Sequence, residues 1–227
     1  LDLDIDGELL DIRPFLKSEA PVQGAQAQTL PVEVTAQVKR MRTSDNRLIE
    51  GAHLYGNFAA NGDILQLEMD AQAGAGDIYL RYKPQESLQH EFILDAGDAG
   101  AFLQAFNLYG NVRGGSLTIR AKSPPDGHIN DLSGTVTLRD FRVVEAPVLA
   151  RLLNALSLGG VQSLLRDEGI SFSRMNADFT YKTTEDGVMI TLEDGATSGA
   201  SIGLTFEGQS NRTTDRINID GTILPVS

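Results

Sequence analysis

The stretch NADFTYKTTEDGVMITLEDGATSGASIGLTFEG, Asn176 to Gly208, decides the fold class. Ala177, Phe179 and Tyr181 alternate with polar neighbours, as do Val188, Ile190 and Leu192, and then Ile202, Leu204 and Phe206. A period of two places each apolar set on one face of an extended strand. Asp186-Gly187 and Asp194-Gly195 are read as turns between these strands, because Asp-Gly tolerates the positive φ that tight reversals require.

The same rhythm runs outward in both directions. Toward the N-terminus it appears at Val136 and Leu138, Leu117 and Ile119, Phe92 and Leu94, Ile78, Leu80 and Tyr82, Leu65, Leu67 and Met69, Val32 to Val38, and Leu1, Leu3 and Ile5; toward the C-terminus it ends with Ile217 and Ile219. This predicts about twelve strands. Asn61-Gly62, Gly74 to Gly76, Gly114-Gly115 and Pro124 to Gly127 mark further turns. Short connections imply antiparallel neighbours. The phase slips between Leu138 and Phe141, which predicts a bulge or bend near Asp140.

Two segments are read as helices, near 98–108 and 146–166. In the first, Ala101, Phe102, Ala105 and Phe106 are apolar, and Asp95 or Asp98 is placed to cap the start. In the second, Leu149, Leu152, Leu153, Leu156, Leu164 and Leu165 fall largely on one side, with Gly159-Gly160 dividing it into two arms. The charge-free run from Leu152 to Leu165 is too short and too polar to cross a bilayer, so this segment is expected to lie as a lid on the sheet. Residues 17–30, rich in Ala, Gln, Ser and Pro, read as a linker-like loop.

Burying one aliphatic side chain contributes roughly 1.5–3 kcal/mol, so a dozen apolar strand faces need cover that two short helices do not supply. Two architectures answer this. A mainly β chain forms a curved antiparallel sheet that is either an open groove or a flattened sandwich, with the two amphipathic helices covering it. In the open form, Phe179, Tyr181, Ile190, Leu192, Leu204 and Phe206 are expected to line one continuous apolar surface reachable by lipid tails.

The 227 residues carry 19 Lys+Arg against 31 Asp+Glu, a net charge of −12, with no basic stripe, which argues against nucleic acid as a partner. No cysteine is present, so disulfides, thiolate metal sites and thiol nucleophiles are excluded. Asp2-x-Asp4-x-Asp6-Gly7 has the opening of a calcium loop, but Arg13 stands where that loop needs an acid. An edge strand with an acidic solvated face accounts for it better. His53, His90 and His128 are too far apart in sequence for metal-ligand spacing, and neither a nucleophile elbow nor a phosphate-cradling loop occurs. The chain is therefore expected to have no catalytic residues, metal or cofactor. A carbohydrate-binding β-domain finds little support with no Trp and five Tyr.

The segment LRDFRVVEAPVLARLLNALSLGGVQSLLRDEGISFSRMNADF, followed by ATSGASIGLTFEGQSNRTTDRINIDGTILP, resembles the C-terminal region of AsmA-like proteins, the YhdP and TamB relatives of the Gram-negative envelope. The matching positions are Asp140-Phe141, Ala146-Pro147, Leu149-Ala150, Leu152-Leu153, Ser157-Leu158, Gly160, Leu165, Gly169-Ile170 and Phe172, then Gly199, Gly203, Gly208, Gly221 and Pro225. The resemblance covers about residues 95–227 and divides the chain into an N-terminal strand region, 1–94, and an AsmA-like groove module. It implies a periplasmic segment, anchored in the inner membrane by a helix outside this sequence, that shields phospholipid acyl chains on their way to the outer membrane. The start at Leu1 without a leader or membrane span fits a segment of something longer. The alternative is a structural or interaction β-module that assists outer-membrane protein assembly by lending a strand edge.

Overall fold

The computed structural model describes residues 1–16, 30–44, 47–86, 89–125, 129–145, 169–184, 187–199, 202–211, 213–214 and 216–225. Its strands are β1 (Asp2–Asp11), β2 (Val32–Ser44), β3 (Arg47–Phe58), β4 (Ile64–Ala73), β5 (Gly76–Pro84), β6 (His90–Ala96), β7 (Val112–Arg113), β8 (Ser116–Lys122), β9 (Asp131–Val143), β10 (Ile170–Thr184), β11 (Gly187–Gly199), β12 (Ile202–Asn211) and β13 (Arg216–Pro225). Among the described residues two helices accompany them, α1 (Arg13–Leu16) and α2 (Ala99–Ala105). All the strands belong to one sheet in the order β1-β2-β3-β4-β5-β6-β8-β9-β10-β11-β12-β13, with β7 paired to β9. The sheet is curved and open, with β1 and β13 as its two edges, and it does not close into a barrel. It runs without interruption through residue 94, since Leu94 pairs with Leu80 on one side and Ile119 on the other.

One face carries the core. Met41, Ile49, Ala52, Ile78, Ala96, Leu117, Phe141, Phe172 and Ile202 are buried there in one cluster that reaches from β2 to β12. A seven-residue helix is too small to cover so wide a row, and the sheet curls over its own apolar face to bury the remainder. α2 packs over the ends of β3, β4, β5, β8 and β9 and inserts Phe102 and Ala105.

α2 is held at both ends by bonds its sequence dictates. Asp98 Oδ1 accepts from the Ala101 N–H at 3.0 Å, so Asp98 rather than Asp95 is the cap. The N–H groups of Ala99 and Gly100 donate to the carbonyls of Gly115 and Gly114. A side chain at Gly100 would put its Cβ 2.8 Å from Val112 O, which is why only glycine permits this approach. The helix stops earlier than the predicted 108. Asn107 takes φ 53°, Asn107 N–H donates to Gln104 O and Leu108 N–H to Leu103 O, the left-handed helix stop that Asn tolerates. The second predicted helix, 146–166, with Leu149, Leu152, Leu153, Leu156, Leu164 and Leu165, lies outside the described residues, as does nearly all of the 17–30 loop.

Three features differ from the sequence reading. First, β1 pairs with β2 in parallel, Asp2 opposite Glu33 and Leu10 opposite Met41, while every other pairing is antiparallel. Residues 12–31 separate these strands, long enough for the crossover that parallel pairing requires. Second, Asp194-Gly195 is no turn: it lies within β11, with Asp194 at φ 49° and the register to β12 shifting between Leu192 and Gly195. Third, β3 is a strand that strict alternation hides, because Ile49 and Ala52 both face the core with Gly51 at φ 57° between them.

The expected break near Asp140 has the same form. Leu138 and Phe141 are both buried, with Asp140 at φ 51°. In β3, β9 and β11 alike, a left-handed residue immediately precedes the second inward residue. The register shifts beside Gly51 and Asp194 mark bulges, which add local bend and twist and help curl the sheet; at Asp140 the register to β8 and β10 is unshifted, so that break is a bend.

Candidate functional site

The core face has two unlike ends. At the α2 end the walls are sealed: Met41 and Ile49 are fully buried, as is Ile202. Toward the opposite end, where β1, β2 and β13 begin, the same face opens. Along β1, Leu1, Leu3 and Ile5 are 65%, 42% and 37% exposed; along β13, Ile217 and Ile219 are 67% and 54% exposed. The registers put them on the core face, since Leu3 and Ile5 lie opposite Val34 and Ala36, and Ile219 lies opposite Gly208, itself opposite Leu192. Single exposed aliphatics are ordinary; matching rows on both walls of one apolar face are not.

The six predicted contact residues all lie on this face and all are half-buried. Phe179 is directly opposite Leu192 and Tyr181 opposite Ile190, while Phe206 is opposite Gly195 and Leu204 opposite Thr197. They divide between two clusters. Phe179 and Tyr181 pack with Ile64, Leu67 and Phe92 around Tyr82, Ala121 and Leu132 at the open end, whereas Leu204 packs against the main core. Sequence reasoning chose β10–β12 and left the more reachable edge residues, Leu3, Ile5, Ile217 and Ile219, unassigned as contacts. The signal was their place on the first and last strands, where neighbours are fewest.

Among the described residues, the buried polar side-chain atoms without a partner lie at the open end of this face. The Tyr82 and His90 rings stack with centroids 4.7 Å apart, and neither Tyr82 Oη nor His90 Nδ1 has a hydrogen-bond partner among the described residues. Burial pushes the Tyr82 phenol above its ordinary range, so it stays protonated and a potential donor. His53 is exposed on β3, and His128 lies outside the described residues. No cluster of three or more metal-ligating side chains occurs among the described residues.

The opposite face is polar and paired. Arg81 bridges Glu68 at 2.9 Å and Asp70 at 2.8 Å, Lys83 meets Glu68 at 2.7 Å, and Arg120 meets Asp95 at 2.8 Å. Lys83 beside Glu68 holds that carboxyl below its usual range. Asp2, Asp4 and Asp6 are exposed along the β1 edge, where charge discourages unplanned strand pairing.

No helix among the described residues is long and apolar enough to cross a membrane. Comparison with protein-family models, curated proteins and solved structures gave no match.

Proposed function

We propose that this chain is a periplasmic segment of an inner-membrane-anchored AsmA-like protein that shields phospholipid acyl chains in an apolar trough during transfer toward the outer membrane. The observation that carries the reading is the pair of exposed aliphatic rows, Leu1, Leu3 and Ile5 on one wall and Ile217 and Ile219 on the other, facing the same side of an open sheet. The action is passive and needs no cofactor: each acyl CH₂ transferred out of water contributes about 0.8 kcal/mol. Paired charges on the other face keep the module hydrated.

Native mass spectrometry of the chain purified from a Gram-negative envelope should show co-purified phospholipid. Ile219→Arg should remove that lipid while circular dichroism stays unchanged, because the side chain is largely exposed and its charge can hydrate. A folded parent without lipid, or a variant that keeps it, contradicts the reading.

The β13 edge favours a second reading. β13 pairs with β12 over ten residues without a register shift, so its outer edge is a long unbroken strand able to accept another chain, as an assembly module for outer-membrane proteins would require.

A further inference from the structure

We infer that the trough is dead-ended and polarised: it takes a glycerophospholipid acyl chain methyl end first toward α2, with the ester and headgroup left at the end where β1 and β13 begin. This rests on the lipid reading above and adds a direction and a limit to it.

Exposure falls toward α2 along the outer strands β1, β2, β12 and β13, while the central strands are buried at both ends. On β1 it falls from Leu1 through Leu3 to Ile5, and Leu10 packs against the core. On β13 it falls from Ile217 through Ile219 to Ile223, which also packs against the core. On β2 the half-buried Val32 and Val34 give way to buried Ala36, Val38 and Met41, and on β12 half-buried Phe206 and Leu204 give way to buried Ile202. Four strands from opposite edges share one gradient, which describes a recess that is open at one end and filled at the other.

The filled end is built by α2. Phe102 and Ala105 enter the core there, and Thr43 Oγ1 donates to Ala105 O at 2.7 Å, tying the helix to the β2 wall. A chain sliding along the face would have to displace this helix to pass.

The length suits one acyl chain. Six residues separate Ile217 from Ile223, about 20 Å at 3.3 Å per residue. One leaflet's share of the roughly 30 Å hydrocarbon core is about 15 Å. Polarity gives the orientation. The two buried side-chain polar atoms that lack a partner among the described residues, Tyr82 Oη and His90 Nδ1, both lie at the open end of the core face. Tyr82 is fully buried with Ser123 beside its hydroxyl, and it is suited to donate to an ester carbonyl of the lipid once the side chains around it shift.

The chain has no cysteine, so single-cysteine labelling needs no background removal. Bimane would be placed on Ile219→Cys near the opening and on Leu204→Cys, four residues farther along β12 than the Gly208 partner of Ile219, about 13 Å. Each labelled chain is loaded from phosphatidylcholine vesicles whose lipid carries a nitroxide either beside the ester or at the end of the acyl chain. The ester-side probe should quench bimane at 219 more than at 204, and the chain-end probe should reverse that order. Equal quenching at both sites by both probes, or the opposite order, overturns the orientation while leaving lipid binding intact. Absence of quenching at either site, together with a lipid-free native mass spectrum, overturns the orientation and the lipid reading together.

Discussion

The two ends of the core face are made of the same residue types and behave differently. At the α2 end, aliphatic side chains from β2, β3, β8, β9 and β12 share one cluster with Phe102 and are buried nearly completely; at the other end, the isoleucines of β13 stand largely in water. Composition does not distinguish them. What differs is cover: a capped helix of seven residues at one end, and the exposed starts of two edge strands at the other. Stability therefore concentrates where the trough is shut, and access where it is open.

The sharpest way to break this contrast is Phe102→Ala. Removing a buried ring from α2 should cost about 3–5 kcal/mol in urea unfolding, in line with other core aromatic truncations. A loss below about 1 kcal/mol would show that α2 is not the seal. Next in size, Asp140→Val should cost roughly 1–2 kcal/mol because a β-branched residue resists the left-handed φ of 51° there, whereas Asp140→Gly should be near neutral. Equal effects from the two would remove the bend at Asp140 as a shaping element. By comparison, Ile219→Arg at the open end should change stability by no more than about 0.5 kcal/mol, so its effect reads almost purely in lipid retention.

The smallest expected effect lies outside both ends. Arg13 hydrogen-bonds the Asp11 side chain, Nε to Oδ1 at 2.9 Å and Nη2 to Oδ2 at 2.7 Å, holding that carboxyl at about 2 against an ordinary 3.8. A depressed carboxyl contributes stability that is fully present above its unfolded value. That contribution fades as pH falls from about 3.8 through about 2. An NMR titration of Asp11 should give a midpoint near 2, and Asp11→Asn should flatten any stability change in that window; a midpoint near 3.8 would show that the pair is not formed in solution.

The strands that alternate cleanly were legible in the sequence. β12 and the second half of β10 follow from Ile202-Leu204-Phe206 and Ala177-Phe179-Tyr181 because nothing interrupts the phase there; near the start of β10 it slips between Phe172 and Met175. Where a left-handed residue interrupts it, the outcome depended on what flanked it. The Asp140 slip was readable because Leu138 and Phe141 are both large. The same device at Gly51 was hidden by Ala52, and at Asp194 it took the form of a turn because Gly195 has no side chain to mark a face. A Cβ on Gly195 would come within 2.5 Å of Phe206, so the glycine serves packing rather than reversal. The parallel pairing of β1 was illegible, since alternation fixes which face a residue takes and says nothing of strand direction. Openness was illegible for a related reason: a curled open sheet and a closed one have the same period of two.

The parallel β1 also sets how the sheet responds to tension. Because β1 runs with β2 and β13 against β12, Leu1 leaves the sheet at its open end and Pro225 at the α2 end. A pull between those two points drags each edge strand along its own axis, so all the hydrogen bonds of a ladder resist at once. An antiparallel β1 would have placed both exits at one end, and the bonds would open one after another like a zip. Single-molecule stretching between Leu1 and Pro225 should therefore give higher rupture forces than stretching between Asp11 and Pro225, which lie at the same end; equal forces would refute this.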